Sequence, residues 1–217
     1  MKSGWLVPLA VLAVIVLFGA FAAKPMQTAS DIAAWVQGVG SLAAVAAAVW
    51  IYARQQAEKK VDELAETVAF VLSIREEIQS TWTGYSADMR KRLHKTPDGQ
   101  HFEHLYPVSS DAFTIYNASP SMVGKIHDAE LRRLIVVVYA EAKGLVSTFQ
   151  LNNQLLPAYR EALAHGVGGP TGQSLRGMAD DELTATARKL KARDKTLSRD
   201  VYALLERAEL WLQSVDG

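Results

Sequence analysis

His94, His101 and His104, with Glu103 beside the last two, are the densest group of side chains in the chain that could bind a metal ion. A zinc site needs three or four ligands held by a rigid frame and oriented by further hydrogen bonds. These residues instead lie in and next to "TPDGQHFEHLYP", residues 96–107, whose Pro-Asp-Gly marks a loop. The expectation is exposed loop histidines and no metal. The chain has no cysteine, which removes disulfides, thiolate nucleophiles and Cys-based zinc sites together and fits a reducing compartment.

Carboxylates are plentiful but stand at helical spacing among other charges: Asp62 with Glu58 and Glu66, Glu130 with Arg133, Glu206 with Arg207. Charges so placed form solvated helix faces. No Ser-His-Asp set surrounds a nucleophile elbow, so neither a catalytic residue nor a cofactor is expected and the chain reads as a non-enzyme. The glycines of "GVGGPTGQSLRG", residues 166–177, suggest a phosphate-binding loop, but the Gly-Lys-Ser/Thr ending is missing and the stretch follows a helix, so it reads as a turn. Two basic runs remain, "RKRLHK" at 90–95 and "RKLKARDKTLSR" at 188–199. Neither has an interleaved aromatic for stacking bases, and 23 basic residues balance 23 acidic ones overall, so nucleic acid is not an expected partner.

The elements that carry these residues divide sharply by polarity. Residues 4–23, "GWLVPLAVLAVIVLFGAFAA", hold no charge, and residues 32–53 hold only Gln37 and Ser41 as amide or hydroxyl groups. Each can cross a hydrocarbon core of roughly 30 Å at about 1.5 Å per residue. The first also has the makings of a secretory signal peptide, with Lys2 ahead of it and "AFA" near its end, but its apolar run exceeds a usual signal core. The organisation expected is a first transmembrane helix with a short external loop over 1–30, a second over 31–56 and a cytoplasmic helical domain over 57–217. Cleavage of the first segment would leave a single-pass protein.

Basic residues near the membrane ends set orientation. Lys2 precedes the first segment, Lys24 alone lies in the connection, and Arg54, Lys59 and Lys60 follow the second, so both termini are expected in the cytoplasm of a cell whose inner membrane holds the hairpin. Trp35 and Trp50 with Tyr52 fall where interfacial aromatics belong. On the second segment Ala33, Gln37, Gly40, Ser41, Ala44 and Ala48 share one helical face, with Trp35, Val39, Leu42, Val49 and Trp50 toward the other. Small residues let helices approach closely in lipid, and an amide alone there is costly. That face is expected to pack on the first span, with a subunit contact as the alternative and a pore lined by Gln37 and Ser41 as a third reading.

Beyond Arg54 a seven-residue rhythm dominates. Val61, Leu64, Val68, Val71, Ile78, Trp82, Tyr85 and Met89 keep it, with Arg75 as a break. So do Leu131, Leu134, Val138, Ala142, Leu145, Phe149 and Asn152, and Leu183, Ala187, Leu190, Leu197, Val201, Leu204, Ala208, Trp211 and Val215. Long helices are expected at about 57–94, 127–165 and 178–214, with Pro157 kinking or ending the second. The fold class is therefore all-α: a transmembrane helical hairpin followed by an antiparallel helical bundle or coiled coil.

"WVQGVGSLAAVAAAVWIYARQQ", residues 35–56, with "DAFTIYNASPSMVGKI" and "LRRLIVVVYAEAKGL" further on, resembles a pattern of small two-span inner-membrane proteins of bacteria and prophages with a cytoplasmic helical domain. Some of these look like retron-type phage-defence membrane effectors. The resemblance covers about residues 31–150 and implies an effector acting at the inner membrane. The residues themselves imply an anchored bundle that binds the lipid bilayer and associates with itself or with a protein partner. A pore-forming or membrane-perturbing protein is the alternative, and a tethered enzyme a distant third.

Overall fold

The computed structural model describes residues 28–107, 113–164 and 170–216. The first apolar segment, its Gly19 and the loop that follows lie outside the described residues. The described residues form six helices: α1 (Ala29–Ala87), α2 (Met89–Lys95), α3 (Thr114–Ala118), α4 (Pro120–Lys125), α5 (Ala129–Ala164) and α6 (Pro170–Asp216).

α1 opens with reciprocal capping. The Thr28 hydroxyl accepts the Asp31 backbone N–H at 3.2 Å, and the Asp31 carboxylate accepts the Thr28 backbone N–H at 3.1 Å. This satisfies two donors that a helix start leaves free. No proline or glycine occurs between Ser41 and Thr83, so nothing in the chain stops the helix over 59 residues. The chain divides into two compact units, Met1–Val61 and Asp62–Gly217. In the first unit the described part of α1 is almost wholly exposed.

The second unit is a bundle. α5 and α6 pack along their lengths. They run antiparallel, because Arg207 reaches Asp128 at one end and the Arg193 guanidinium lies on Gly144 further along. The remainder of α1 with α2 is antiparallel to α6: Arg75 meets Glu209, Tyr85 meets Asp194, and Lys191 reaches the Thr96 carbonyl. It is nevertheless parallel to α5, since Glu77 pairs with Tyr139 and Tyr85 packs on Phe149. The expected antiparallel bundle is thus realised in two helix pairs and not in the third.

Residues 96–107 and 113–128 lie back along α5, which makes that parallel pairing possible. An extended strap over 101–107 is pinned there by side chains that stand in for a sheet partner. Asn153 accepts the Tyr106 N–H at 3.0 Å and donates to its carbonyl at 2.6 Å. Asn152 donates to the His104 carbonyl at 3.1 Å, and Arg160 to that of Glu103 at 2.7 Å. Backbone polar groups need such partners when water is excluded. Beneath the strap, Phe102, Tyr106, Phe149, Tyr85 and Trp82 form a chain of ring contacts with centroids 4.9–6.1 Å apart.

The heptad residues named above on α5 and α6 are buried, except Trp211 and Val215, which are half-buried. On α1 the core begins only at Thr67 and Phe70, so Val61 and Leu64, expected inside, are 66% and 47% exposed. The tie to another element just beyond them is polar, Lys125 of α4 donating to Glu66 at 2.9 Å. α5 continues through Pro157 to Ala164 because the missing N–H lies on an exposed turn while Leu156 stays fully buried. α6 begins at Pro170, inside the stretch read from sequence as a turn; proline at a first helical position gives up no bond and has the right φ.

Among the described residues two helices are long and apolar enough to cross a membrane, α1 and α5. In α5, 44% of the most apolar stretch is buried within the protein, and in α1 none is.

Candidate functional site

The bundle end remote from Asp62 gathers most of the side chains with chemical potential, and Asp194 is its centre. Asp194 sits in the apolar seam of α6, one turn from Leu190 and Leu197, and its side chain is fully buried. Burying a carboxylate demands neutralisation and hydrogen bonds, and three residues of α1 and α2 supply them. The Tyr85 hydroxyl donates to Oδ1 at 2.9 Å. Arg90 Nε lies 3.1 and 3.2 Å from the two oxygens, and His94 Nε2 lies 2.7 Å from Oδ2. Arg90 also donates from Nη2 to Ser198 at 3.0 Å and lies over the Trp82 ring at 5.1 Å.

Hydroxyl, carboxylate and imidazole in series suggest a proton relay, but the groups are arranged to hold rather than to react. Burial first, then the charge and hydrogen bond of Asp194, push the Tyr85 phenol far above its ordinary range. It therefore stays a proton donor. The adjoining cavity, lined by Ile78, Trp82, Tyr85, Tyr106 and Phe149 among others, measures ≈ 50 Å³ and is apolar. The network joins α1, α2 and α6 as a clamp.

Of the residues singled out in the sequence, the three histidines do not converge. His94 faces Asp194; His101 is 2.9 Å from Asp180 and packs on Tyr159; His104 is exposed, its ring against Phe102. His101 is thus partly buried rather than a free loop side chain. Among the described residues no group of three or more His, Cys, Asp or Glu is arranged to hold a metal ion. The six helix-packing candidates Ala33, Gln37, Gly40, Ser41, Ala44 and Ala48 lie exposed on α1, and a side chain added at Gly40 would meet nothing within 4 Å. Ser41 is already satisfied, donating to the Gln37 carbonyl at 2.8 Å.

Two further polar clusters stand apart from that end. Glu77 accepts the Tyr139 hydroxyl at 2.6 Å and the Ile115 N–H at 2.8 Å, tying α3 to the bundle where Phe113 adopts φ 69°. Between α5 and α6, burial and then Asp200 push the Glu141 carboxyl up, while the Arg199 hydrogen bond holds Asp200 down. The signal for Asp194 was present in the sequence as position: it continues the spacing Leu183, Ala187, Leu190 before Leu197 and Val201, and so occupies a core site inside a run that reads as solvated.

Comparison with protein-family models, with curated proteins and with solved structures returns no match. The class defined by the observations is a helical protein in which a long exposed apolar helix continues into a bundle closed by a buried ionic clamp.

Proposed function

We propose that this chain is an inner-membrane interaction protein: α1 anchors it through residues 31–56, both termini are cytoplasmic, and the bundle is displayed to partners or to further copies. The observation carrying this reading is the contrast between the two apolar helices. The apolar stretch of α5 is in good part covered by the bundle, whereas that of α1 has no protein cover among the described residues. An uncovered apolar helix of that length finds its apolar medium in a bilayer. The small-residue face of α1, with Gln37 on it, supports helix contact within that bilayer.

Alkaline extraction of membranes tests the anchor; recovery of the intact chain in the soluble fraction overturns it. Self-association is tested by single cysteines, for which the cysteine-free chain gives no background. Ala44→Cys is expected to form an oxidised dimer in membranes and Leu42→Cys, toward the other face, is not. Absence of dimer at both positions refutes the self-association. The resemblance of residues 35–56 to retron-type membrane effectors supports phage defence as the setting, and unchanged phage plating after deletion of the gene rejects it.

A further inference from the structure

The two basic runs, about a hundred residues apart in the chain, meet at the bundle end remote from Asp62. α2 carries "RKRLHK" and α6 carries "RKLKARDK", and they are joined there by Arg90 to Asp194 and by Lys191 to the Thr96 carbonyl. Apart from Arg193, whose guanidinium lies on Gly144, their lysines and arginines divide into two groups. Arg90 is held by buried Asp194, Arg92 by Asp88 at 2.7 Å and Lys191 by Asp98 at 2.7 Å. Lys91, Lys95, Arg188, Lys189 and Lys195 are exposed, and none has a carboxylate within ion-pair distance among the described residues. Of the acidic residues at this end, Asp88 and Asp98 are engaged as above and Glu103 and Asp180 with His101, while Asp181 and Glu182 stay exposed. The fold thus neutralises the inner charges against one another and leaves an outer layer in which five exposed cations outnumber Asp181 and Glu182.

Two grooves flank the loop between the runs. One of ≈ 550 Å³ is lined by Lys91, Arg92, Lys95, His101 and His104 with Asp88 and Glu103; the other, of ≈ 350 Å³, is lined by Arg188 and Lys191 with Asp98, Gln100 and Thr184. Neither is lined by a large apolar side chain. Protein partners are anchored by aromatic and aliphatic side chains seated in pockets, which these grooves do not offer. The rings that line them are His101, packed on Tyr159, and His104, packed on Phe102, and no Phe, Tyr or Trp joins them as a stacking platform for a single strand. The phosphate backbone of a duplex needs neither anchor, because lysines and arginines that displace its counterions supply the affinity. Asp62 to Ala87 is about 38 Å of helix at 1.5 Å per residue, which sets these cations at the far end of the bundle from the start of its first helix.

We infer that this end of the bundle is a binding surface for double-stranded nucleic acid, gripped through its phosphates without reading sequence. The full-length chain in discs of zwitterionic lipid, titrated against a fluorescently labelled DNA duplex with anisotropy as readout, tests it. Engagement of all five free cations gives a slope of log K against log salt near −4.5, a loss of about 500-fold between 50 and 200 mM salt. Lys91→Ala is expected to flatten the slope by about 0.9. Lys91→Glu with Lys95→Glu is expected to weaken binding more than tenfold while leaving the helical circular dichroism and melting temperature unchanged, both side chains being exposed. No binding at 50 mM salt, binding unaffected by the double charge reversal, equally effective competition by polyglutamate, or tighter association with anionic vesicles than with the duplex would each overturn the proposal.

Discussion

Replacing Asp194 by asparagine keeps the shape of the clamp and removes its charge. The Tyr85 hydroxyl can still donate to an amide oxygen, but Arg90 loses its counter-ion and one acceptor becomes a donor facing Arg90 or His94. Breaking a fully buried ion pair in this way costs about 3–5 kcal/mol. Here the Arg90 and His94 side chains are 29% and 50% exposed, so both can turn to water and part of that cost is screened. The expected loss is about 2–3 kcal/mol. For a unit of this size each kcal/mol lowers the melting temperature by about 2–4 °C, so a drop of about 5–10 °C is expected by circular dichroism at pH 7. Arg90→Met completes a double-mutant cycle: with the arginine gone, Asp194→Asn should cost distinctly less, because no cation is left unpaired. Melting within 1–2 °C of the parent for Asp194→Asn, or strictly additive effects in the cycle, would refute the reasoning that the carboxylate is held by charge.

Gly84 lies within α1, exposed, with nothing within 4 Å of the position a side chain would take; Gly84→Ala should stabilise the bundle by about 0.5–1 kcal/mol, read as a rise of roughly 2–3 °C in melting temperature. Asp128 caps α5 by accepting the Leu131 N–H at 2.8 Å and pairs with Arg207; burial alone would raise its carboxyl, but these bonds outweigh it and hold the value below the usual range. A depressed carboxylate contributes stability that is complete above its unfolded value, about 3.9, and is lost as pH falls through the lower folded one. Arg207→Gln should therefore cost about 0.5–1 kcal/mol at pH 7 and distinctly less in acid, as measured by urea unfolding at pH 7 and at low pH; an equal difference under the two conditions would contradict the assignment.

The helices of the bundle were legible because their apolar residues recur at spacings of three and four, and on α5 the rhythm led from Leu131 to Asn152 without error. Legibility failed where a residue's partners lie far along the chain. Val61 and Leu64 keep the same rhythm as Val71, yet both stay exposed. Asp194 looks like one more charge in a basic run until its position between Leu190 and Leu197 is taken as a core site, and its partners lie about a hundred residues away. The direction of α5 relative to α1 was likewise hidden, because it depends on Asn152, Asn153 and Arg160 grasping a strap whose backbone leaves no periodic trace. Pro170 misled, since it begins a helix inside the stretch read as a turn, whereas the helix runs on past Pro157 as expected, its missing N–H facing water.

The crossover between α1 and α5 has a consequence for biosynthesis. Phe70, Ile74, Ile78 and Trp82 are covered by partners that the ribosome makes much later, and Tyr85 waits for Asp194, 109 residues downstream. At about 5–20 residues per second, their apolar surface stays bare for roughly 5–20 seconds after it emerges. The hairpin of α5 and α6, built from neighbours in the chain, can assemble as soon as both have appeared. During that interval the nascent chain offers an attachment point to chaperones, and to other nascent copies on the same message.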